Sequence, residues 1–124
     1  MIEMNDELKN LIENNAVSFS TVDKNGTPHS IAVAYVKVVS DSEILISDNY
    51  MKETVENLKN NNSVSILIWN KEWNKDCFGF ELRGKAQYFT SGKWRDYVKK
   101  IQENKGNPAK GAILVTVSKI KKLA

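Results

Sequence analysis

Strict alternation of apolar and polar side chains between residues 78 and 88 restricts the fold more than any other feature of the chain. Successive side chains of an extended strand point to opposite faces, so this segment has one face for a core and one for solvent. The core face carries Phe78, Phe80, Leu82, Ala86 and Tyr88. The opposite face carries Glu81, Arg83, Lys85 and Gln87. Gly84 interrupts the core set, which predicts a bulge or a close backbone approach there.

Further strand patterns are separated by short polar turns. Residues 17–21 alternate, and the turn Lys24-Asn25-Gly26-Thr27 predicts a hairpin into the next strand. That second strand is expected to run without a break from His29 to Val39, apolar on both faces and therefore covered on both sides. Three more apolar runs complete the predicted set, at 44–47, 63–70 and 112–120.

Three segments have apolar residues at helical spacing instead. The first precedes residue 16, the second follows the run at 44–47, and the third is expected to end at Gly106 as its C-cap. Their predicted apolar faces are Leu8, Leu11 and Ile12 in the first, Met51, Val55 and Leu58 in the second, and Trp94, Tyr97, Val98 and Ile101 in the third.

Six strands that mostly follow one another through short turns predict a mainly β fold with short helices. A closed antiparallel barrel is the natural arrangement because it removes the unpaired strand edges. At 124 residues the chain is expected to form one domain over 1–124.

Composition excludes several classes of partner. A net charge of +3, spread along the chain, does not make the basic stripe of a nucleic-acid-binding protein. No apolar run approaches the ~20 residues of a membrane span, and the acidic N-terminal segment lacks the order of a signal peptide. The single cysteine, Cys77, indicates a reducing cytoplasm and is expected to be a small buried residue. One Cys and one His do not predict a metal site.

No catalytic constellation stands out. The chain has no G-x-S-x-G elbow, no P-loop and no G-x-G-x-x-G fingerprint. His29 follows Pro28 at the start of a strand and is expected to be structural or at the surface. The catalytic residues therefore stay unassigned.

The polar turn before the second helix has the features of an anion site. If Asn49 or Tyr50 is the helix N-cap, the backbone N–H groups near residues 50–53 lack intrahelical partners and carry the positive end of the helix dipole. Lys52 adds a full charge and Thr54 adds a hydroxyl, so a phosphate would be well held.

The same residues also have an explanation that needs no ligand. Ser47, Asp48 and Asn49 are ordinary residues before a helix, and Lys52 with Glu56 is an ordinary surface pair. Ala32 and Ala34 on the neighbouring strand would leave room for a flat ring, or would serve close core packing. The residues alone leave these alternatives open.

The order of elements resembles the pyridoxamine 5′-phosphate oxidase-like, FMN-binding split-barrel family, and in particular its small FMN-binding members. The likeness covers "NNAVSFSTVDKNGTPHS", "YVKVVSDSEILISDNYMKETVENLKNNNSVSILIW", "FGFELRGKAQYFTSG" and "AILVTVSKI". Its most specific part is M-x-x-T-x-x-N-L, which resembles the family's phosphate segment. The resemblance implies a six-stranded antiparallel split β-barrel that binds FMN.

Site residues follow from this resemblance. The FMN phosphate would contact Lys52 and Thr54. The isoalloxazine would lie on the backbone of Ile31, Ala32 and Val33, and Asn57 would support the turn. The ribityl chain and ring would follow the turn formed by Ser47, Asp48 and Asn49.

The family pattern also implies assembly and activity. Its members are typically homodimers with the flavin between two barrels, and Trp69, Trp73 and the face of Glu81, Arg83 and Lys85 are suitable interface material. Trp73 folded back on its own barrel is the alternative. We expect an oxidoreductase in electron or hydride transfer, with a small-molecule or protein redox partner.

Two departures from the pattern matter. Family members often have a lysine directly before the threonine, where this chain has Glu53. The vitamin-synthesising oxidases carry a C-terminal arginine-bearing segment, whereas the last strand here carries only lysines, so that activity is not expected. The alternative function is a binding module of the same fold for a deazaflavin, for haem with His29 as the axial candidate, or for a protein partner.

Overall fold

The structure is a computed structural model that describes residues 2–101 and 106–123. These residues form three helices and one antiparallel sheet of seven strands, in the order β2-β1-β5-β6-β7-β4-β3. The helices are α1 (Asp6–Glu13), α2 (Glu53–Asn60) and α3 (Lys93–Lys100). The strands are β1 (Val17–Val22), β2 (Pro28–Val33), β3 (Val36–Ser40), β4 (Glu43–Asp48), β5 (Ser63–Trp69), β6 (Gly79–Phe89) and β7 (Gly111–Leu123).

The two edge strands of the sheet, β2 and β3, are joined only by Ala34 and Tyr35. A flat sheet of this size would separate its edges by about 29 Å, at about 4.8 Å per strand step. A two-residue link reaches only about 11 Å. The sheet must therefore curl into the predicted split barrel, which confirms the expected fold class.

The expected number of strands was wrong because the run from His29 to Val39 breaks in the middle. The carbonyl oxygen of Tyr35 accepts a hydrogen bond from the Ser47 N–H at 3.0 Å. At that point the chain leaves its pairing with β1 and begins its pairing with β4. The expectation that both faces are covered was also wrong, since Ala32 and Ala34 are exposed.

The barrel interior is filled by the alternating apolar residues of the strands, and α1 contributes Leu8 and Ile12 to it. A second, smaller cluster lies between α3 and β4 and β7, with Val98 as the buried helix residue. The largest fully buried strand residues in the two clusters are Phe19, Ile44, Leu45, Ile46, Ile66, Ile68, Leu82 and Ile113.

Gly84 confirms the predicted irregularity in β6. The register of the β6–β7 ladder shifts between Arg83 and Gly84. A Cβ at residue 84 would lie 2.2 Å from the carbonyl oxygen of Thr116, so only glycine allows this close approach.

Two other expectations were wrong. Helix α3 ends at Lys100 because Ile101 is already extended, so Gly106 does not cap it, and residues 102–105 of the predicted helix lie outside the described residues. Cys77 is exposed in the loop before β6. Among the described residues, no helix is both long and apolar enough to cross a membrane.

Candidate functional site

A cavity of about 480 Å³ opens between the end of β2, the turn after β4 and the start of α2. This volume is in the range of small-molecule sites. Two stretches distant in sequence, residues 29–35 and 47–54, meet there. The predicted residues that line it are Ile31, Ala32, Val33, Ser47, Asn49, Lys52 and Thr54. The residues added by the structure are His29, Ala34, Tyr35, Tyr50, Met51 and Glu53.

Asp48 is the predicted site residue that does not line the cavity. Its side chain is 0% exposed, and one carboxylate oxygen, Oδ1, accepts the Met51 N–H at 2.9 Å. The other oxygen, Oδ2, accepts the hydroxyl of Tyr88 at 2.5 Å, and the Lys110 ammonium lies 4.0 Å from Oδ1. Asp48 therefore shapes the turn from behind the cavity wall.

Tyr88 is held in this position from two sides. Burial, together with the hydrogen bond to Asp48 and its negative charge, raises the pKa of the Tyr88 hydroxyl above its usual range. The ring lies on Gly111, where a Cβ would be 2.3 Å from the Tyr88 hydroxyl oxygen. The missing side chain of residue 111 thus makes room for the residue that fixes Asp48.

The segment before β7 binds the same turn from another direction. The side-chain oxygen of Asn49 accepts the Ala109 N–H at 2.9 Å and the Ser47 hydroxyl at 3.3 Å. Lys110 donates to the carbonyl oxygen of Met51 at 2.6 Å, and Arg95 donates to that of Ala109 at 2.6 Å. Sequence reasoning missed the contacts of Ala109 and Lys110 because no local pattern connects residues about 60 positions apart.

Helix α2 begins later than predicted. Lys52 is its N-cap, and the first intrahelical bond runs from the Glu56 N–H to the Lys52 carbonyl at 3.1 Å. A separate turn, closed by the bond from Met51 to Asp48, precedes it, so Asn49 and Tyr50 are not caps. The N–H groups without intrahelical partners therefore belong to residues 53–55.

The fully buried residues of α2 are polar, whereas Met51 and Leu58 of the predicted apolar face are half-buried and pack against the barrel core. Thr54 and Asn57 are its buried residues, whereas Val55 and Leu58 are half-buried. The Asn57 amide donates to the Thr21 hydroxyl of β1 at 2.9 Å. Asn57 therefore fastens the helix to β1. Its predicted support of the turn at 47–49 stays a prediction.

Glu53 at the start of α2 contacts the histidine of the chain. The His29 Nδ1 lies 3.0 Å from a Glu53 carboxylate oxygen, and both residues line the cavity. The carboxylate that departs from the family pattern is thus directed toward β2.

Aromatic side chains on and after β5 are exposed. Trp73 is 62% exposed, so the alternative in which it folds back on its own barrel is wrong. Trp69 is 37% exposed and carries the ammonium of Lys71 above its ring at 3.4 Å. Arg83 and Glu81 form an ion pair at 3.2 Å on the same outer face of the sheet.

Within the described ranges, no group of three potential metal ligands comes together.

The family of the chain follows from comparison with known sequences. A family model described as pyridoxamine 5′-phosphate oxidase matches residues 4–124. The chain belongs to this family. An uncharacterized protein of Methanocaldococcus jannaschii, MJ0282, is 25% identical over 124 residues, which is 97% of this chain and 80% of that protein.

Solved structures show the same fold at lower identity. HupZ of Group A Streptococcus has a TM-score of 0.88 and 23% identity, over 97% of this chain and 94% of that one. An FMN-binding protein of Syntrophomonas wolfei has a TM-score of 0.82 and 20% identity, over 94% of this chain and 83% of that one. An F420 reductase has a TM-score of 0.70 and 16% identity, over 95% of this chain and 98% of that one.

Proposed function

We propose that this protein is a homodimeric flavoprotein that holds FMN in the cavity at β2 and α2 and takes part in electron or hydride transfer. The observation that carries this proposal is the meeting of residues 29–35 and 47–54 at one cavity. An open strand backbone with small side chains, a buried polar turn and a helix start come together there, in a chain of the pyridoxamine 5′-phosphate oxidase family.

The start of α2 suits the FMN phosphate. The N–H groups of residues 53–55 and the positive end of the helix dipole favour an anion at this place. Thr54 is buried in the cavity wall and Lys52 is exposed at its edge, so the two side chains can supply a hydroxyl and a charge. These are the contacts that we assign to the phosphate.

The end of β2 suits the flat ring. Ala32 and Ala34 are exposed and small, which leaves the backbone of Ile31, Ala32 and Val33 accessible from the cavity. Ser47 and Asn49 lie between the strand and the helix and would face the ribityl chain. Asp48 would act on the flavin only through the turn that it holds.

The bound flavin would supply the redox chemistry. The described residues would bind it, orient it against β2 and limit the access of solvent. No side chain is assigned as an acid or base. The exposed Leu67, Trp69 and Trp73 support a second copy of the chain as the partner on the outer face of the sheet.

A deazaflavin is the second candidate ligand, supported by the similarity to an F420 reductase. It would use the same cavity. A small-molecule or protein redox partner belongs to the proposal in either case.

The first experiment is an absorbance spectrum of the purified protein, followed by release and chromatographic identification of the chromophore. We expect the bands of oxidised flavin and about one FMN per chain. Apoprotein titrated in parallel with FMN and F420 separates the two candidates. A colourless protein that neither compound can titrate contradicts the proposal.

Substitutions in α2 test the phosphate contacts. Lys52→Ala is expected to raise the Kd for FMN about ten-fold because it removes a charge-assisted hydrogen bond. Lys59→Ala, an exposed lysine in the last turn of the same helix, is the matched control and should leave the Kd unchanged. Thr54→Val keeps the side-chain volume and should also raise the Kd for FMN. Unchanged affinity with lower stability would place Thr54 in the helix start alone.

A further inference from the structure

Glu53 places a negative charge where the FMN phosphate would bind, and a role for this residue rests on the proposed function. It is the first residue of α2 and lines the cavity beside Lys52 and Thr54. An acidic side chain at this position is attracted to the positive end of its own helix. Glu53 is therefore an intramolecular competitor for the donors that would hold a phosphate.

His29 is placed to keep this competitor away from the donors. Its Nδ1 lies 3.0 Å from a Glu53 carboxylate oxygen. The His29 side chain is 25% exposed and the Glu53 side chain 65%, so the histidine is the anchored member of the pair. Strand pairing fixes its backbone, because His29 lies opposite Thr21 in the β1–β2 ladder.

The other carboxylates on the elements next to His29 have contacts of their own. Strand β1 contributes no titratable side chain. In α2, Glu56 pairs with Lys59 at 3.4 Å. In the β1–β2 turn, Asp23 accepts the N–H groups of Asn25 and Thr27. Glu53 is the carboxylate that the structure places against His29.

We propose that His29 is a specificity-determining positioning residue that holds the Glu53 carboxylate against β2 and so leaves the start of α2 open to a terminal phosphate. The pair makes the site accept FMN rather than flavins without a phosphate. When His29 is absent, the Glu53 carboxylate turns to the helix start and repels the phosphate.

The test measures Kd for FMN and for riboflavin, which lacks the phosphate, at low ionic strength where surface charges are least screened. His29→Ala is expected to raise the Kd for FMN about five-fold, which is the effect of one charge at about 4 Å in water. The Kd for riboflavin should stay unchanged. His29→Leu keeps more of the side-chain volume and should give the same result. Glu53→Ala added to His29→Ala should restore wild-type FMN affinity.

Glu56→Ala in the His29→Ala background is the matched control, because it removes a carboxylate one turn further along the helix. It should not restore FMN affinity. Equal weakening of FMN and riboflavin would give His29 a structural role and overturn the proposal. Weakening of FMN that Glu53→Ala does not relieve would mean that His29 binds the phosphate itself, which also overturns it. Unchanged FMN affinity in both His29 variants would also overturn the proposal.

Inorganic phosphate separates this inference from the proposed function. If wild-type protein binds neither flavin, the proposed function fails. The positioning role then predicts that phosphate, compared with chloride at equal ionic strength, raises the unfolding temperature of the wild type. The rise should be lost in His29→Ala and regained in the double variant. A wild type that phosphate does not stabilise would overturn the positioning role as well.

Discussion

Two turns of the molecule begin with the same chemistry and are completed in different ways. In the β1–β2 turn, the Asp23 carboxylate accepts the N–H groups of Asn25 at 2.8 Å and Thr27 at 2.9 Å. In the turn after β4, the Asp48 carboxylate accepts the Met51 N–H at 2.9 Å. In both turns an aspartate replaces a backbone acceptor.

The difference lies in what else binds each turn. Every contact of Asp23 is with a residue at most four positions away, and the carboxylate is at the surface. Asp48 is buried, and its turn is fixed by Tyr88, Ala109 and Lys110, which lie on or before strands formed much later in the chain. The surface turn can form alone, whereas the turn at the cavity requires the assembled sheet.

Removal of the two carboxylates is the strongest test of this comparison. Asp48→Ala leaves the Tyr88 hydroxyl and the Met51 N–H without their buried acceptor, and we expect it to lower the free energy of unfolding by about 2–4 kcal/mol. Asp23→Ala is the matched control, with a much smaller loss because water can replace the exposed carboxylate. Urea unfolding of both variants measures the difference. Equal losses would show that the turns are held in the same way.

Tyr88→Phe isolates one long-range contact and is expected to cost about 1–2 kcal/mol at neutral pH. Because folding raises the pKa of Tyr88, its hydrogen bond stabilises fully below the usual tyrosine value of about 10. That stabilisation is lost as the pH rises further. The stability difference between wild type and Tyr88→Phe should therefore narrow above about pH 10. Unfolding curves at pH 8 and pH 11 measure it, and a constant difference would contradict the assignment.

The smallest expected effect is the acid response of the surface turn. The N–H groups of Thr27 and Asn25 lower the pKa of Asp23 below its usual value of 3.8. Its contribution is therefore present above about pH 4 and lost as the pH falls through the lowered pKa. Wild type should unfold at a slightly higher temperature than Asp23→Ala at pH 6, and the gap should narrow as the pH falls below about 4. A gap that widens in acid would argue against the local bonds.

Much of the candidate site was predictable because its residues lie next to regular elements. The resemblance placed Lys52 and Thr54 at the start of a helix and Ile31, Ala32 and Val33 on a strand, and one cavity brings them together. Asp48 could not be separated from its neighbours in this way. Ser47, Asp48 and Asn49 are adjacent polar residues, and only the direction in which the folded backbone points each side chain decides whether it lines the cavity.

The sequence by itself determined the elements whose causes are local. Alternation defined β6, the Asn-Gly pair defined the first hairpin, and Gly84 marked the bulge. Only the tertiary structure decided the break at Tyr35, the delayed start of α2 and the contact between His29 and Glu53. The break at Tyr35 depends on pairing across the β3–β4 hairpin, and the start of α2 depends on a turn that Tyr88 and Lys110 hold. The contact between His29 and Glu53 depends on the approach of β2 to α2. Such bonds require a distance and direction that no local pattern contains.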